Sequence, residues 1–148
     1  MADIGGFPKL NRFDCYHWIT HSGFGSTNTA IPYFGSLIIN DSSGVIKMEN
    51  STVFGLSFTA NVDCYVIMDI GHHYNHGITL NSSQLTTSIT GITASTIVSY
   101  IATPTATCAV TRACIRLKPR DVLRPHSSLS APGNSNFARA QVLAWEIV

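Results

Sequence analysis

The sequence predicts an all-β protein, an antiparallel sandwich or barrel, on three observations. Apolar and polar residues alternate with a period of two in several segments. β-Branched residues and threonine, which strands favour, dominate these segments. Turn-forming residues separate them at short intervals, and no window longer than about ten residues has a helical period. Strands at this spacing are typical of sandwiches and barrels.

Four segments show the alternation most clearly, and each predicts a strand. Their alternating apolar positions are, in chain order, Phe54, Leu56 and Phe58; Cys64, Val66, Met68 and Ile70; Ala113, Ile115 and Leu117; and Leu143, Trp145 and Ile147. Asn, Asp, Gly, Pro and Ser predict turns at residues 40–44, 61–63, 118–121 and 130–136.

The length of 148 residues is most simply that of one domain. We expect residues 1–21 to form an N-terminal arm and residues 22–148 to form the sandwich. The Gly- and Ser-rich residues 22–29 are too few to separate two domains. The start, MADIGGFPK, contains no apolar h-region, so we expect no signal peptide.

The sequence is poor in charge and rich in hydroxyl groups. Only 11% of its residues are charged, against about 25% in typical domains. Residues 71–111 contain no Asp, Glu, Lys or Arg. Such a surface favours a protein that hides much of its outside against copies of itself or a partner. We therefore predict that the uncharged stretch forms much of a subunit contact.

The charge distribution also argues against two classes of partner. The net charge is +1 and no basic cluster is present, so we expect no direct nucleic-acid binding. Residues 92–110 are apolar and about long enough to cross a bilayer. Their many threonines and Pro104 argue against a membrane span.

Cysteine spacing gives no metal motif. Cys15, Cys64, Cys108 and Cys114 form neither a CxxC pair nor a zinc-finger pattern. In a reducing cytoplasm, free and mostly buried thiols are the expectation. A bridge between Cys108 and Cys114 is the alternative.

The segment GHHYNHG brings three histidines close together, His72, His73 and His76. Histidines at this spacing can bind zinc when they lie on a helix. Here glycines flank the segment and a predicted strand precedes it, so we expect a neutral polar loop at a surface or subunit contact. A metal site and a pH-sensitive contact are the alternatives.

No arrangement of residues predicts catalysis. A GxSxG nucleophile elbow is absent, and the few carboxylates lie mostly in predicted turns. We therefore expect neither an enzyme nor a cofactor.

Two further groups are candidate contact residues. The segment around KPRDVLRPH predicts a turn entering an edge strand, and its basic residues could contact an anion, a glycan or a partner. These residues are Arg116, Arg120, Arg124 and His126.

The N-terminal aromatic residues are too many for a solvated tail, and we expect them to dock on a partner. They are Phe7, Phe13, Tyr16 and Trp18. Carbohydrate binding by Tyr16, His17, Trp18 and Tyr74 is the alternative.

An ordered series of segments resembles the small C1q/TNF-like jelly-roll proteins of tailed bacteriophages. The segments are GSTNTAIPYF (25–34), STVFGLSFTANVDCYVIMDI (51–70), GITLNSSQLTTSI (77–89), CIRLKPRDVLRPH (114–126) and NFARAQVLAWEIV (136–148). The sequence departs from the family pattern at Asp63–Cys64 and at Arg120, which stands where the family has Gly before Asp121. A positive φ at Arg120 would be uncommon for a residue other than glycine.

The resemblance implies an antiparallel jelly-roll sandwich that assembles as a homotrimer. It also implies a virion protein on the capsid exterior that folds in the host cytoplasm. Among such roles we expect a decoration (cement) protein that contacts the major capsid protein and stabilises the capsid lattice. A receptor- or glycan-binding tip of a head or tail fibre is the alternative.

Overall fold

A computed structural model describes residues 12–20, 35–51, 55–72, 75–101, 109–127 and 138–148. Within these residues the chain forms strands and one short 3-10 helix. In chain order they are β1 (Phe13–Thr20), β2 (Gly35–Asp41), β3 (Ile46–Ser51), β4 (Gly55–Ala60), β5 (Cys64–His72), β6 (His76–Leu80), the 3-10 helix (Ala94–Thr96), β7 (Ile97–Ile101), β8 (Ala109–Leu117), β9 (Val122–Ser127) and β10 (Ala138–Glu146). No described helix is long and apolar enough to cross a membrane.

The strands form two five-stranded sheets. Sheet I has the order β2–β1–β10–β5–β8, and sheet II has the order β3–β4–β9–β6–β7. All of the strand pairs are antiparallel. Successive strands from β4 onward pass repeatedly between the sheets, which is the connectivity of a jelly roll. The predicted all-β antiparallel jelly-roll sandwich is confirmed.

The core lies between the two sheets, and period-two alternation supplies it. On β5, Cys64, Val66, Met68 and Ile70 are all buried, as the sequence predicts. Tyr16 of sheet I meets Phe58 of sheet II with ring centroids 5.8 Å apart. The two sheets are therefore joined by large apolar side chains from their central strands.

The side chains of strand β10 form two alternating sets, and the set with the smaller side chains is buried. Ala140, Val142 and Ala144 face the core, whereas Leu143 and Trp145 lie on the outer face of sheet I. Their neighbours on the adjacent strands are large, since Val142 pairs with both Tyr16 and Met68. In a closely packed core, only small residues fit beside such large side chains. The strand agrees with the sequence prediction, but its larger residues are left for an outside contact.

The sandwich begins earlier than residue 22. Strand β1 pairs with β10 along Phe13–Thr20 and with β2 on its other side, so it lies inside sheet I. Tyr16 and Trp18 are buried in the core. The division into an arm of residues 1–21 and a domain of residues 22–148 is therefore corrected at Phe13–Thr20, which form a strand of sheet I.

The turn between β8 and β9 uses a left-handed backbone at Arg120, with φ of 78°. The Asp121 carboxylate stabilises this turn by accepting hydrogen bonds from the Lys118 amide and the Asn81 side chain, both at 2.9 Å. The Asn81 hydrogen bond is the main cause of a lowered Asp121 pKa. The turn thus keeps a glycine-like conformation without glycine.

Candidate subunit interface

The outer face of sheet I carries a row of aromatic side chains that crosses three strands. Phe13 of β1 pairs with Trp145 of β10, Trp145 with Tyr65 of β5, and Tyr65 with Arg116 of β8. The rings of Phe13 and Trp145 are 5.2 Å apart, and Tyr65 is 54% exposed. We call these four residues the aromatic row. Large uncovered rings beside an arginine are typical of the centre of a protein interface.

The next row on the same face carries two thiols and two aliphatic side chains. Cys15 pairs with Leu143, Leu143 with Ile67, and Ile67 with Cys114. Cys15, Cys64 and Cys114 are free thiols, and of these only Cys64 is buried. Burial raises the pKa of Cys64 to about 11, so this thiol stays protonated at neutral pH. Cys108, and with it the alternative bridge to Cys114, lies outside the described residues.

A shallow groove connects these two rows. It has a volume of about 330 Å³, and its lining includes Tyr65, Ile67, Cys114, Arg116 and Trp145. Most of its lining surface comes from apolar or aromatic side chains, with Arg116 at one side. The groove is therefore a mainly apolar depression on the outer face of sheet I.

A third row ends the apolar part of this face. His17, Gln141, Asp69 and Arg112 follow one another across β1, β10, β5 and β8. The Arg112 guanidinium donates two hydrogen bonds to the Asp69 carboxylate, at 2.7 and 2.9 Å. Burial and, secondarily, Arg139 lower the pKa of His17. The face therefore changes from aromatic to ionic along the strand direction.

Three further exposed apolar side chains lie on β7 and β8, the neighbouring edge strands of the two sheets, and the register places Val110 on the outer face of sheet I. Val98, Tyr100 and Val110 are exposed there, Tyr100 at 58% and Val110 at 61%. We call these three residues the edge patch. Exposed large apolar side chains on edge strands are a liability that proteins cover.

The outer face of sheet II is covered by the chain itself. Residues 81–93, which we call the strap, cross β6 and β9 on the outside. Ile89 lies on Gly77 so closely that a Cβ at residue 77 would be 2.7 Å from Ile89 Cδ1. Arg124 Nε donates to the carbonyl of Ser82 at 3.3 Å, and His126 Nδ1 lies 2.6 Å from the carbonyl oxygen of Thr86. Ile89 is consequently buried, although it lies outside the core between the sheets.

The hydroxyl and amide side chains of the strap satisfy its own backbone. Ser82 Oγ accepts from the Gln84 amide, and Thr86 Oγ1 accepts from the Ser88 amide, both at 3.1 Å. Gln84 Oε1 accepts from the Thr93 amide at 2.7 Å, and Gln84 Nε2 donates to the carbonyl of Gly91 at 3.2 Å. Short polar side chains favour such local bonds. The strap, which belongs to the uncharged stretch, packs on its own sheet, and the subunit contact predicted for that stretch stays a prediction.

The histidine segment is not the surface loop that the sequence predicts. His72 ends β5 in sheet I and His76 begins β6 in sheet II, and both are fully buried. His72 Nδ1 is 2.9 Å from Ser127 Oγ. His73 lies outside the described residues. Across the described part of the chain, no three His, Cys, Asp or Glu side chains come together as a possible metal site.

The basic residues predicted as one contact loop lie in three different places. Arg116 is in the aromatic row, where Asp63 is 3.8 Å away, and Arg120 is exposed in the β8–β9 turn. Arg124 and His126 lie beneath the strap, and His126 is buried. These residues are separated because β8 belongs to sheet I and β9 belongs to sheet II.

The predicted N-terminal docking aromatics are also separated. Tyr16 and Trp18 are core residues, and Trp18 Nε1 lies 2.9 Å from the sulfur of Met48. Phe13 lies in the aromatic row, and Phe7 is outside the described residues. The sequence reasoning did not single out Tyr65, Ile67 and Leu143 as candidate contact residues. The signal available for them was a strand with apolar residues on both alternating sets.

Comparison with known proteins shows a likeness to solved structures and none at the level of sequence families. No protein-family model matches the sequence. No curated protein matches it either. Among solved structures, the globular domain of zebrafish complement 1qA protein is similar, with a TM-score of 0.47 and 12% sequence identity. The match covers 93% of this chain and 98% of that chain. The jelly-roll connectivity itself follows from the strand order and registers of this chain.

Proposed function

We propose that this protein is a structural virion protein of a tailed bacteriophage, without enzymatic activity. In this proposal it is a capsid decoration (cement) protein that forms homotrimers on the capsid exterior and stabilises the lattice. One observation carries the assembly step: among the residues that the structure describes, apolar side chains are uncovered on the outer face of sheet I and at Val98 and Tyr100 of the edge strand β7. The virion context comes from the sequence resemblance.

Two unlike patches favour a heterologous contact, in which the edge patch of one copy packs against sheet I of the next. Such contacts generate closed rings when the rotation between copies closes. The family resemblance implies three copies. Full burial of a large apolar side chain contributes about 1.5–3 kcal/mol, so covering Tyr65, Ile67 and Tyr100 would strongly favour association.

The low charge of the chain supports the same assembly. In the first two rows, Arg116 is the one charged side chain on β1, β10, β5 and β8, and Asp41 of the edge strand β2 pairs with Cys15 at the end of the second row. An unpaired ion buried at an interface costs several kcal/mol, whereas an uncharged face avoids that cost. The ionic pair of Asp69 and Arg112 lies at the border of this surface, where it can remain in water.

Docking on the major capsid protein is assigned to residues 1–12, including Phe7. Tyr16 and Trp18 no longer support docking, because they are buried within the sandwich. The three described thiols are free, which agrees with folding in the reducing cytoplasm of the host. Deleting residues 2–11 should abolish binding to undecorated capsids and leave the number of chains per oligomer unchanged.

The assembly is tested by light-scattering mass measurement of the purified protein. We expect three times the chain mass of 16.0 kDa. Ile67→Glu places a charge in the groove and should give single chains. Ser83→Glu adds the same charge to an exposed position of the strap and should leave the trimer intact. A wild-type protein that remains a single chain at high concentration would contradict the trimer.

The decoration role is tested by counting copies on purified particles with quantitative gel staining. A decoration protein should approach the copy number of the major capsid protein, whereas a fibre tip should be far rarer. Loss of the protein should also lower the temperature at which capsids break. Unchanged capsid stability would contradict a cement role.

A receptor- or glycan-binding fibre tip is the second candidate function. The aromatic row favours it, because Tyr65 and Trp145 beside Arg116 offer ring faces and a donor to a sugar. A monomeric protein that binds glycans, and loses that binding in Tyr65→Ala, would support this candidate over decoration. Glycan binding that persists in Tyr65→Ala would remove the structural basis for it.

A further inference from the structure

The side chain of His126 lies between the strap and sheet II and hydrogen-bonds to the strap. Its side chain is on the outer face of β9, yet it is only 1% exposed because the strap covers it. Nδ1 is 2.6 Å from the Thr86 carbonyl oxygen, and Nε2 is 2.8 Å from Thr79 Oγ1. A carbonyl oxygen only accepts, so Nδ1 carries a proton and donates it to Thr86. In the neutral ring, Nε2 then accepts from the Thr79 hydroxyl.

The surroundings of His126 contain no negative charge to balance a second proton. The strap carries no ionisable residue, and β4 carries none either. On β6 the ionisable residue is His76, whose position alternates to the core side of the sheet, and on β7 it is Tyr100. On β9 itself, Arg124 lies on the same face as His126. The nearest acidic influence comes from Glu49 on β3, and it acts on Arg124.

We propose that His126 makes closure of the strap depend on pH. At neutral pH the uncharged imidazole holds residues 81–93 against β6 and β9. In acid, His126 takes up a proton, the strap is released, and the outer face of sheet II becomes accessible to solvent. This device lies within one chain, so it is independent of the trimer and of the virion role.

The direction of the effect follows from burial. The pKa of His126 is lowered to about 4, mainly by desolvation; the hydrogen bond to Thr86 opposes this shift, and the charge of Arg124 adds a smaller lowering. With the strap open, the imidazole is hydrated and its pKa returns toward about 6.5. The open form therefore binds more protons between these two values. Closure is complete above about pH 6.5 and is progressively lost as the pH falls toward 4.

Hydrogen exchange with mass spectrometry tests the proposal on the intact protein. Exchange of residues 81–93 is compared at pH 7 and pH 4.5, after correction for the intrinsic rate. We expect protection of the strap to fall by up to about tenfold per pH unit within the titration range. Protection of β5 should stay unchanged. Equal protection of the strap at both pH values would overturn the proposal.

Two variants separate His126 from other titrating groups. His126→Gln keeps a donor and an acceptor but cannot be protonated in this range, so strap protection should become independent of pH. His17→Gln changes a half-buried histidine on sheet I and should retain the acid-dependent loss. A strap that still opens in acid in His126→Gln would overturn the proposal.

A measurement on the wild-type protein covers the case in which His126→Gln does not fold. NMR titration of the His126 ring gives its midpoint directly. Opening of the strap, followed by exchange over the same pH series, should track the ionisation of this ring. Opening that begins only after the ring is fully protonated, or that precedes any protonation, would overturn the proposal.

Discussion

The two outer faces of the sandwich differ in what covers them. On sheet II, the strap lies across β6 and β9, and Thr79 and His126 are buried although they point away from the core. On sheet I, no described segment of the chain lies over the aromatic row, and Tyr65 is half exposed. Among the described residues, the strap thus covers β6 and β9 of sheet II, whereas the aromatic row of sheet I and Tyr100 at the β7 edge remain uncovered.

The difference teaches that side-chain size on the outer face decides which cover is possible. Gly77 and Thr79 on β6 are small, so a neighbouring segment can approach the backbone of sheet II. Tyr65, Leu143 and Trp145 on sheet I are large and form a raised, apolar surface with a groove. A large rigid surface of this kind favours association with another folded unit.

Ile89→Ala should have the largest effect on the closed face. Removing this buried side chain should lower the free energy of unfolding by about 3 kcal/mol, because a cavity forms over β6. Urea unfolding measures it. Leu143→Ala is the matched change on sheet I: it should affect unfolding of the single chain less and weaken self-association more. Similar effects of both variants on both measurements would break the contrast between the faces.

Gly77→Ala should have the next largest effect. The new Cβ would lie 2.7 Å from both Ile89 and the backbone oxygen of Ser99, so the strap or β7 has to shift. We expect the free energy of unfolding to fall by about 2 kcal/mol. In the double variant with Ile89→Ala, the second change should cost less than it does alone, since part of the clash is removed. Additive effects would show that Ile89 does not press on Gly77.

Arg120→Gly tests the turn that connects sheet I to sheet II and should stabilise the chain by about 1 kcal/mol. Arg120 has a φ of 78°, which glycine adopts without steric cost. Chemical unfolding measures the gain. Arg116→Gly, in the extended strand β8, should instead destabilise the protein. A loss of stability in Arg120→Gly would mean that the arginine side chain itself supports the turn.

Arg112→Gln should have the smallest effect on unfolding. Its ion pair with Asp69 lies at the solvated border of sheet I, with the arginine side chain 62% exposed. Exposed pairs contribute little to stability. We expect the urea midpoint to match that of the wild-type protein in high salt. A clear shift in both low and high salt would show that the border of sheet I is buried by a neighbouring copy.

The strands were predictable because burial between two sheets leaves a period-two record in the sequence. β5 shows this best, because Cys64, Val66, Met68 and Ile70 point inward as the alternation predicts. β1 was misjudged because Tyr16 and Trp18 are aromatic residues near a terminus, and composition alone does not distinguish a docking arm from a buried strand. The packing of the strap on sheet II was not predictable for a related reason: hydroxyl-rich residues suit either an interface or a loop that hydrogen-bonds to itself.

The sequence by itself determined the all-β class, the main strands and the scarcity of charge, since all three depend on local pattern and composition. The tertiary structure alone decided which alternating face of β10 is buried and that His126 lies under the strap. It also decided that the aromatic row forms from residues of four strands. These features depend on the registers between strands distant in sequence. Each of these features depends on the space that side chains of neighbouring strands leave free. That space cannot be read from any single segment of the sequence.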